Sequence, residues 1–105
     1  MKIKQSEDSF QSQLIELAHT FGWYCAHFRP AKTEKGWRTS VSADGKGFPD
    51  LVLARDRVLF IECKSEAGVM SKDQLYWRHV LLQSGAEYYE WKPDMWHDIV
   101  KILSR

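Results

Sequence analysis

Pro49-Asp50-Leu51-Val52-Leu53-Ala54-Arg55-Asp56-Arg57-Val58-Leu59-Phe60-Ile61-Glu62-Cys63-Lys64 reads as two apolar β-strands around a charged turn, with acids near both ends and a lysine closing the second strand. Charged side chains are rarely buried unless they are paired or bound to metal. Asp50, Glu62 and Lys64, set at strand ends in so short a chain, therefore ask for a function. Holding a divalent cation against a phosphate is the one these residue types fit.

Side chains of a strand alternate between faces, so Val58, Phe60, Glu62 and Lys64 point one way and Leu59, Ile61 and Cys63 the other. Whether Asp50 joins Glu62 depends on the turn. A two-residue loop at Asp56-Arg57 would set Asp50 opposite Cys63, whereas a three-residue loop, Arg55-Asp56-Arg57, sets it opposite Glu62. An odd loop or a bulge is predicted.

A Glu-x-Lys triplet alone arises by chance in roughly a third of chains this long at average usage. Glu62-Cys63-Lys64 gains its meaning from the upstream Gly47-Phe48-Pro49-Asp50 and the β-rich spacer between them. Together with the flanking elements, from Glu7 to about Trp91-Lys92-Pro93, the set resembles the PD-(D/E)xK nuclease core and, within it, the VRR-NUC family. The resemblance implies an α/β, restriction-endonuclease-like core: a mixed β-sheet flanked by helices. It also implies an acid in the first helix, Glu7, as a metal ligand or one step behind the ligands, and a glutamine at the start of the helix after the hairpin, Gln74.

Length and charge set bounds. One domain, residues 1–105, is expected, and a chain of 105 residues buries roughly 60 to 70% of its unfolded surface. Cys25 and Cys63 show no CxxC spacing, and the four histidines form no HExxH or Cys/His cluster, which argues against zinc and a disulfide framework. No apolar run approaches ~18 residues, and Met1-Lys2-Ile3-Lys4-Gln5 lacks the core of a signal peptide. A reducing, cytoplasmic setting is expected, with no secretion and no membrane span.

The net charge of +1 argues against indiscriminate coating of nucleic acid, but the charge is uneven. Arg29, Lys32, Lys35, Arg38 and Lys46 face only Glu34 and Asp44 in the stretch they occupy, with Trp37 among them. Such a loop suits phosphate contacts, and its length in so small a domain favours function. Of the five tryptophans, Trp37 is the one expected to meet nucleic acid. Trp77, Trp91 and Trp96 read as core, and Trp23 is open.

Ser6 is a plausible N-cap for a first helix, with Glu7 and Asp8 where the helix dipole favours acids. Phe10, Leu14, Leu17, Ala18 and Phe21 follow at helical spacing, and Gly22 ends it. Glu7 shares their inward stripe. Glu16 does not. Trp23 to Arg29 reads as a strand stopped by Pro30, and a short strand near Trp37 to Ser42 is expected in the basic loop. After the hairpin, Ser71 and Gln74 form a capping box opening a helix from Lys72 to Ser84, which also gives Gln74 a purely structural role. That helix carries apolar residues on both sides, Trp77, Val80 and Leu81 against Leu75 and Leu82. One side is expected on the sheet, the other on a partner or the last helix. Gly85, a strand from Glu87 to Trp91 and a helix opened by Pro93-Asp94 complete the order α-β-β-β-α-β-α. His27, His79 and His97 read as structural or exposed.

Enzymes commonly accelerate reactions by 10⁶ to 10¹⁷, about 8 to 23 kcal/mol, while a positioned acid or base gives ~10² to 10⁴, so Lys64 alone does not suffice. Asp50 and Glu62 offer hard oxygens suited to Mg²⁺ or Mn²⁺, and the backbone carbonyl of Cys63 could complete the protein's ligands. Lys64 would orient or deprotonate the attacking water. The expected activity is metal-dependent hydrolysis of DNA phosphodiesters. The resemblance implies more: stand-alone VRR-NUC proteins of phages and bacteria are similar to resolvases that cut four-way (Holliday) junctions as homodimers, and two-fold symmetry supplies the second site that paired incision needs. A flap endonuclease or nonspecific nickase would carry the same motif. Loss of any of Asp50, Glu62 and Lys64 would favour a noncatalytic DNA-binding module that keeps the fold, and all three are present; a protein-interaction or structural domain with an incidental ion-pair cluster is the third reading.

Overall fold

The Ser6 hydroxyl accepts the Ser9 N–H at 3.1 Å and starts α1 (Glu7–Thr20), whose stripe Phe10, Leu14 and Ala18 is fully buried. The structure, a computed structural model, describes residues 5–28, 31–34, 36–38 and 41–105, with only the backbone of 31–33, 37 and 38. Gly22, at φ +82°, turns the chain out of α1 into β1 (Tyr24–His27). A small hairpin follows, β2 (Ala31–Thr33) with β3 (Gly36–Arg38). The strand expected near Trp37 to Ser42 is thus shifted and shorter: it is the second arm of that hairpin, and Val41 and Ser42 lie outside it.

The main sheet has the order β1-β4-β5-β6, with β4 (Leu51–Ala54), β5 (Val58–Cys63) and β6 (Glu87–Trp91). The first three strands are antiparallel, and β6 runs parallel to β5 after a crossover through α2 (Lys72–Gln83). Leu51 pairs with Ile61 and Ala54 with Val58, which leaves Arg55-Asp56-Arg57 as a three-residue loop. Continuing that register sets Asp50 across from Glu62, as the odd loop predicted.

The loop is tied down. The Arg55 and Arg57 guanidiniums lie 4.3 and 5.0 Å from the Trp23 ring centre. Arg55 Nη1 donates to the Phe21 carbonyl beyond α1 at 3.0 Å, and Arg57 Nη2 to the Ile102 carbonyl in the last turn of α3 (Trp96–Ser104) at 3.0 Å. Cations at the carbonyl ends of two helices suit their dipoles.

One sheet face carries the core: Leu51, Leu53, Leu59, Ile61, Cys63 and Trp91 pack with α1, Trp23 and the Ile99 and Leu103 of α3. Trp23 is core, its Nε1 donating to the Leu103 carbonyl at 2.8 Å. A 3-10 turn, Pro93–Met95, leads into α3. The opposite face is covered by α2, which buries only Leu81, and by Phe48, whose ring meets Phe28, Phe60 and Trp77 edge-on. Because α3 lies on the other side of the sheet, it does not cover the outer side of α2, where Leu75, Tyr76 and Leu82 are exposed. No helix among the described residues is long and apolar enough to cross a membrane.

Candidate functional site

Asp50 closes the gap between the Phe48 cluster and β4, and β1 and β5 hold it from both sides. Its carbonyl accepts the Phe28 N–H at 2.8 Å, and its Oδ2 accepts the Cys63 N–H at 3.0 Å. The middle residue of the Glu-x-Lys triplet thus contributes a backbone donor, while its buried side chain fills the core face. Glu62 is 1% exposed. Its Oε2 accepts from Gln74 Nε2 at 3.0 Å and lies 3.6 Å from Lys64 Nζ. Lys64 is itself fixed, its N–H donating to the Trp91 carbonyl at 2.9 Å.

Glu62 Oε1 is buried with no hydrogen-bond donor directed at it. A buried carboxylate oxygen left this way is costly. Burial, then the neighbouring Asp50, push the Glu62 carboxyl up to about 8 from its ordinary 4.5. Burial also raises Asp50, against the pull of the Cys63 N–H, and Glu7 is raised by burial and by the charge of Asp50. Three carboxyl groups share this corner with one ammonium, and their mutual repulsion adds to burial in favouring a proton on Glu62.

Gln74 comes from α2, and its placement begins with Gly47. At φ +85°, Gly47 sits so close to α2 that an added Cβ would stand 2.6 Å from the Asp73 backbone. The first turn of α2 therefore docks on the approach to Asp50. Ser71 and Gln74 complete the capping box: Gln74 N–H donates to Ser71 Oγ at 3.2 Å, and Gln74 Oε1 accepts the Ser71 N–H at 2.8 Å. The amide end of the same side chain reaches Glu62. Gln74 thus holds the structural position and the site position together.

Glu7, at the first turn of α1, is near enough to Asp50 and Lys64 to feel both charges. Among the described residues no group of three His, Cys, Asp or Glu side chains is arranged to hold an ion. Of the basic stretch, Arg29 and Lys35 lie outside the described residues, as do the side chains of Lys32, Trp37 and Arg38. Lys46 is exposed and pairs with Asp73 at 3.5 Å, beside the approach to the site.

The structure adds two neighbours, Gln11, which the sequence did not single out, and His27, which read as structural or exposed. His27 lies near enough to Asp50 to act on its charge, and its Nε2 is 3.2 Å from Oε1 of Gln11. Gln11 is 6% exposed and stands one turn after Glu7. A polar residue within the Phe10–Leu14–Ala18 stripe was the available signal.

These donors fit a divalent cation. Asp50 and Glu62 supply hard oxygens, one of them an orphan that a proton or a cation could satisfy, within a cluster of carboxyl groups. Residues 7–92 match the VRR-NUC domain family, which covers most of the chain. No curated protein matches it.

Proposed function

This chain belongs to the VRR-NUC family and so has a nuclease-type function in DNA processing, and from that premise we propose that it is a divalent-metal-dependent, structure-specific endonuclease that resolves four-way DNA junctions as a homodimer. The observation that carries the metal-dependent reading is the orphaned Glu62 Oε1 beside Asp50. Mg²⁺ or Mn²⁺ held by Asp50, Glu62 and the Cys63 carbonyl would polarise the phosphoryl group and lower the pKa of water. Glu7 adds negative charge behind Asp50.

The protein's own residues do the remainder. Lys64, at 3.6 Å from Glu62, orients the attacking water, and its ammonium stabilises charge on the phosphate. Gln74 keeps Glu62 in one rotamer, and from that position its amide N–H can orient a water or a phosphate oxygen. Lys46, with Arg29, Lys32, Lys35, Arg38 and Trp37, forms the contact to the DNA backbone and bases. The homodimer is supported by the row Leu75, Tyr76 and Leu82 that packing on the sheet leaves over.

The test is a labelled four-way junction, a matched flap and a linear duplex incubated with the protein and an Asp50→Ala control, in Mg²⁺, Mn²⁺ or EDTA. Paired, metal-dependent nicks in the junction alone, absent from the control, are expected. Cutting of the flap or duplex instead keeps the nuclease and rejects the resolvase. Binding without cutting under every condition leaves a DNA-binding module.

A further inference from the structure

We infer that Gln11 and His27 act as one positioning unit for Asp50, fixing from the α1 side the carboxylate that Cys63 fixes from β5. Gln11 and Glu62 are the two buried polar or charged side chains among the described residues, and both belong to this corner of the molecule. A buried amide in an apolar stripe is retained only when its hydrogen bonds are made. Here Gln11 Oε1 meets His27 Nε2 at 3.2 Å. A carbonyl oxygen only accepts, so the ring nitrogen donates, and that bond sets the imidazole's tautomer and plane.

The backbone converts this into control of Asp50. His27 ends β1 opposite Leu51, and the next residue, Phe28, donates its N–H to the Asp50 carbonyl at 2.8 Å. The imidazole stands within electrostatic range of the Asp50 carboxylate. Asp50 Oδ2 is already taken by the Cys63 N–H, so rotation of the carboxylate about that bond is what remains to be limited. Held to Gln11 on one side, and next in the chain to the Phe28 N–H that binds the Asp50 carbonyl, the imidazole stands where it restricts that rotation. Groups placed behind metal-binding carboxylates commonly affect ion affinity by 10- to 100-fold.

The inference rests on the metal-dependent reading above, and the test separates the two. The probe is Mn²⁺ alone, its binding to the intact chain measured by calorimetry and by water-proton relaxation, with a thermal melt of each variant. Gln11→Met keeps the volume and removes the acceptor; His27→Leu removes the imidazole; His27→Gln retains a donor for Gln11. Gln11→Met and His27→Leu should each weaken Mn²⁺ binding about tenfold. The double variant should be no worse than either, as for two members of one unit, and His27→Gln should recover part of the loss. Wild-type binding of Mn²⁺ with unchanged affinity in folded Gln11→Met and His27→Leu overturns the inference and spares the metal-dependent reading. Additive losses overturn the single unit. A wild type that binds no Mn²⁺ overturns both.

Discussion

The side-chain amide of Gln74 donates to Glu62 Oε2 at 3.0 Å while its carbonyl oxygen caps α2 through the Ser71 N–H. Helix start and site are thereby one object. Gln74→Glu separates them, because glutamate serves the capping box equally well but has no donor for Glu62. It should retain most of its stability and lose at least about tenfold in cleavage rate, since a hydrogen bond to a charged group is worth ~1.5–3 kcal/mol. Ser71→Ala should do the reverse, losing about 1 kcal/mol in urea unfolding with cleavage nearly kept. Equal activity in the two variants would sink this division of roles.

The metal-free protein should be less stable at alkaline pH. The folded state holds the Glu62 proton up to about pH 8, while the unfolded chain releases it near 4.5, so the stabilisation is complete below 4.5 and lost as pH rises toward 8. The raised Asp50 and Glu7 act in the same direction. In EDTA the melting temperature should fall between pH 5 and pH 8, and Glu62→Gln should flatten the fall. Added Mn²⁺ should raise the wild-type midpoint more at pH 8 than at pH 5. Parallel pH curves for wild type and Glu62→Gln would exclude this carboxyl as the source.

Gly47→Ala should cost ~1–3 kcal/mol, because it combines a left-handed backbone with a contact of 2.6 Å to the Asp73 backbone. Gly36 is the control: it also has positive φ, but open space surrounds its Cβ position. If Gly47→Ala proved no more destabilising than Gly36→Ala, the close approach to α2 would not matter. Cleavage by folded Gly47→Ala should also fall, as α2 shifts and takes Gln74 with it.

Arg57→Met should destabilise without touching chemistry. It loses the 3.0 Å bonds to Glu87 Oε1 and to the Ile102 carbonyl, about 1–3 kcal/mol together given partial exposure. The loop lies at the end of the hairpin away from Asp50 and Glu62, so the cleavage rate of the folded fraction should stay at the wild-type value. A loss of rate matched by unchanged stability would contradict the separation of the two ends.

The hairpin was legible in the sequence because its apolar alternation and the odd number of loop residues admit one useful register, and the structure has it. Ser6, Ser71 and Gln74 announced two helix starts through capping chemistry, which is local. What stayed hidden depended on distance in the sequence. The nearness of His27 to Asp50 is one such case, since nothing near His27 in the chain reveals that β1 lies beside Asp50. The uncovered outer side of α2 depended on which sheet face α3 takes, and the short arm β2–β3 on turn chemistry that its composition does not fix. Trp23 was undecided for the same reason: its partners, Arg55, Arg57 and Leu103, are remote in the chain.

Asp50 and Glu62 belong to a hairpin closed by about a dozen residues, a contact that chains make in ~1–10 μs, whereas Glu7 arrives from α1, far earlier in the chain, over a longer loop. Refolding therefore brings these two carboxylates together, with Lys64 and the Cys63 N–H of the same hairpin beside them, before α1 covers them. That early repulsion is a built-in brake on the folding rate, and acid, which removes the charge, should release it.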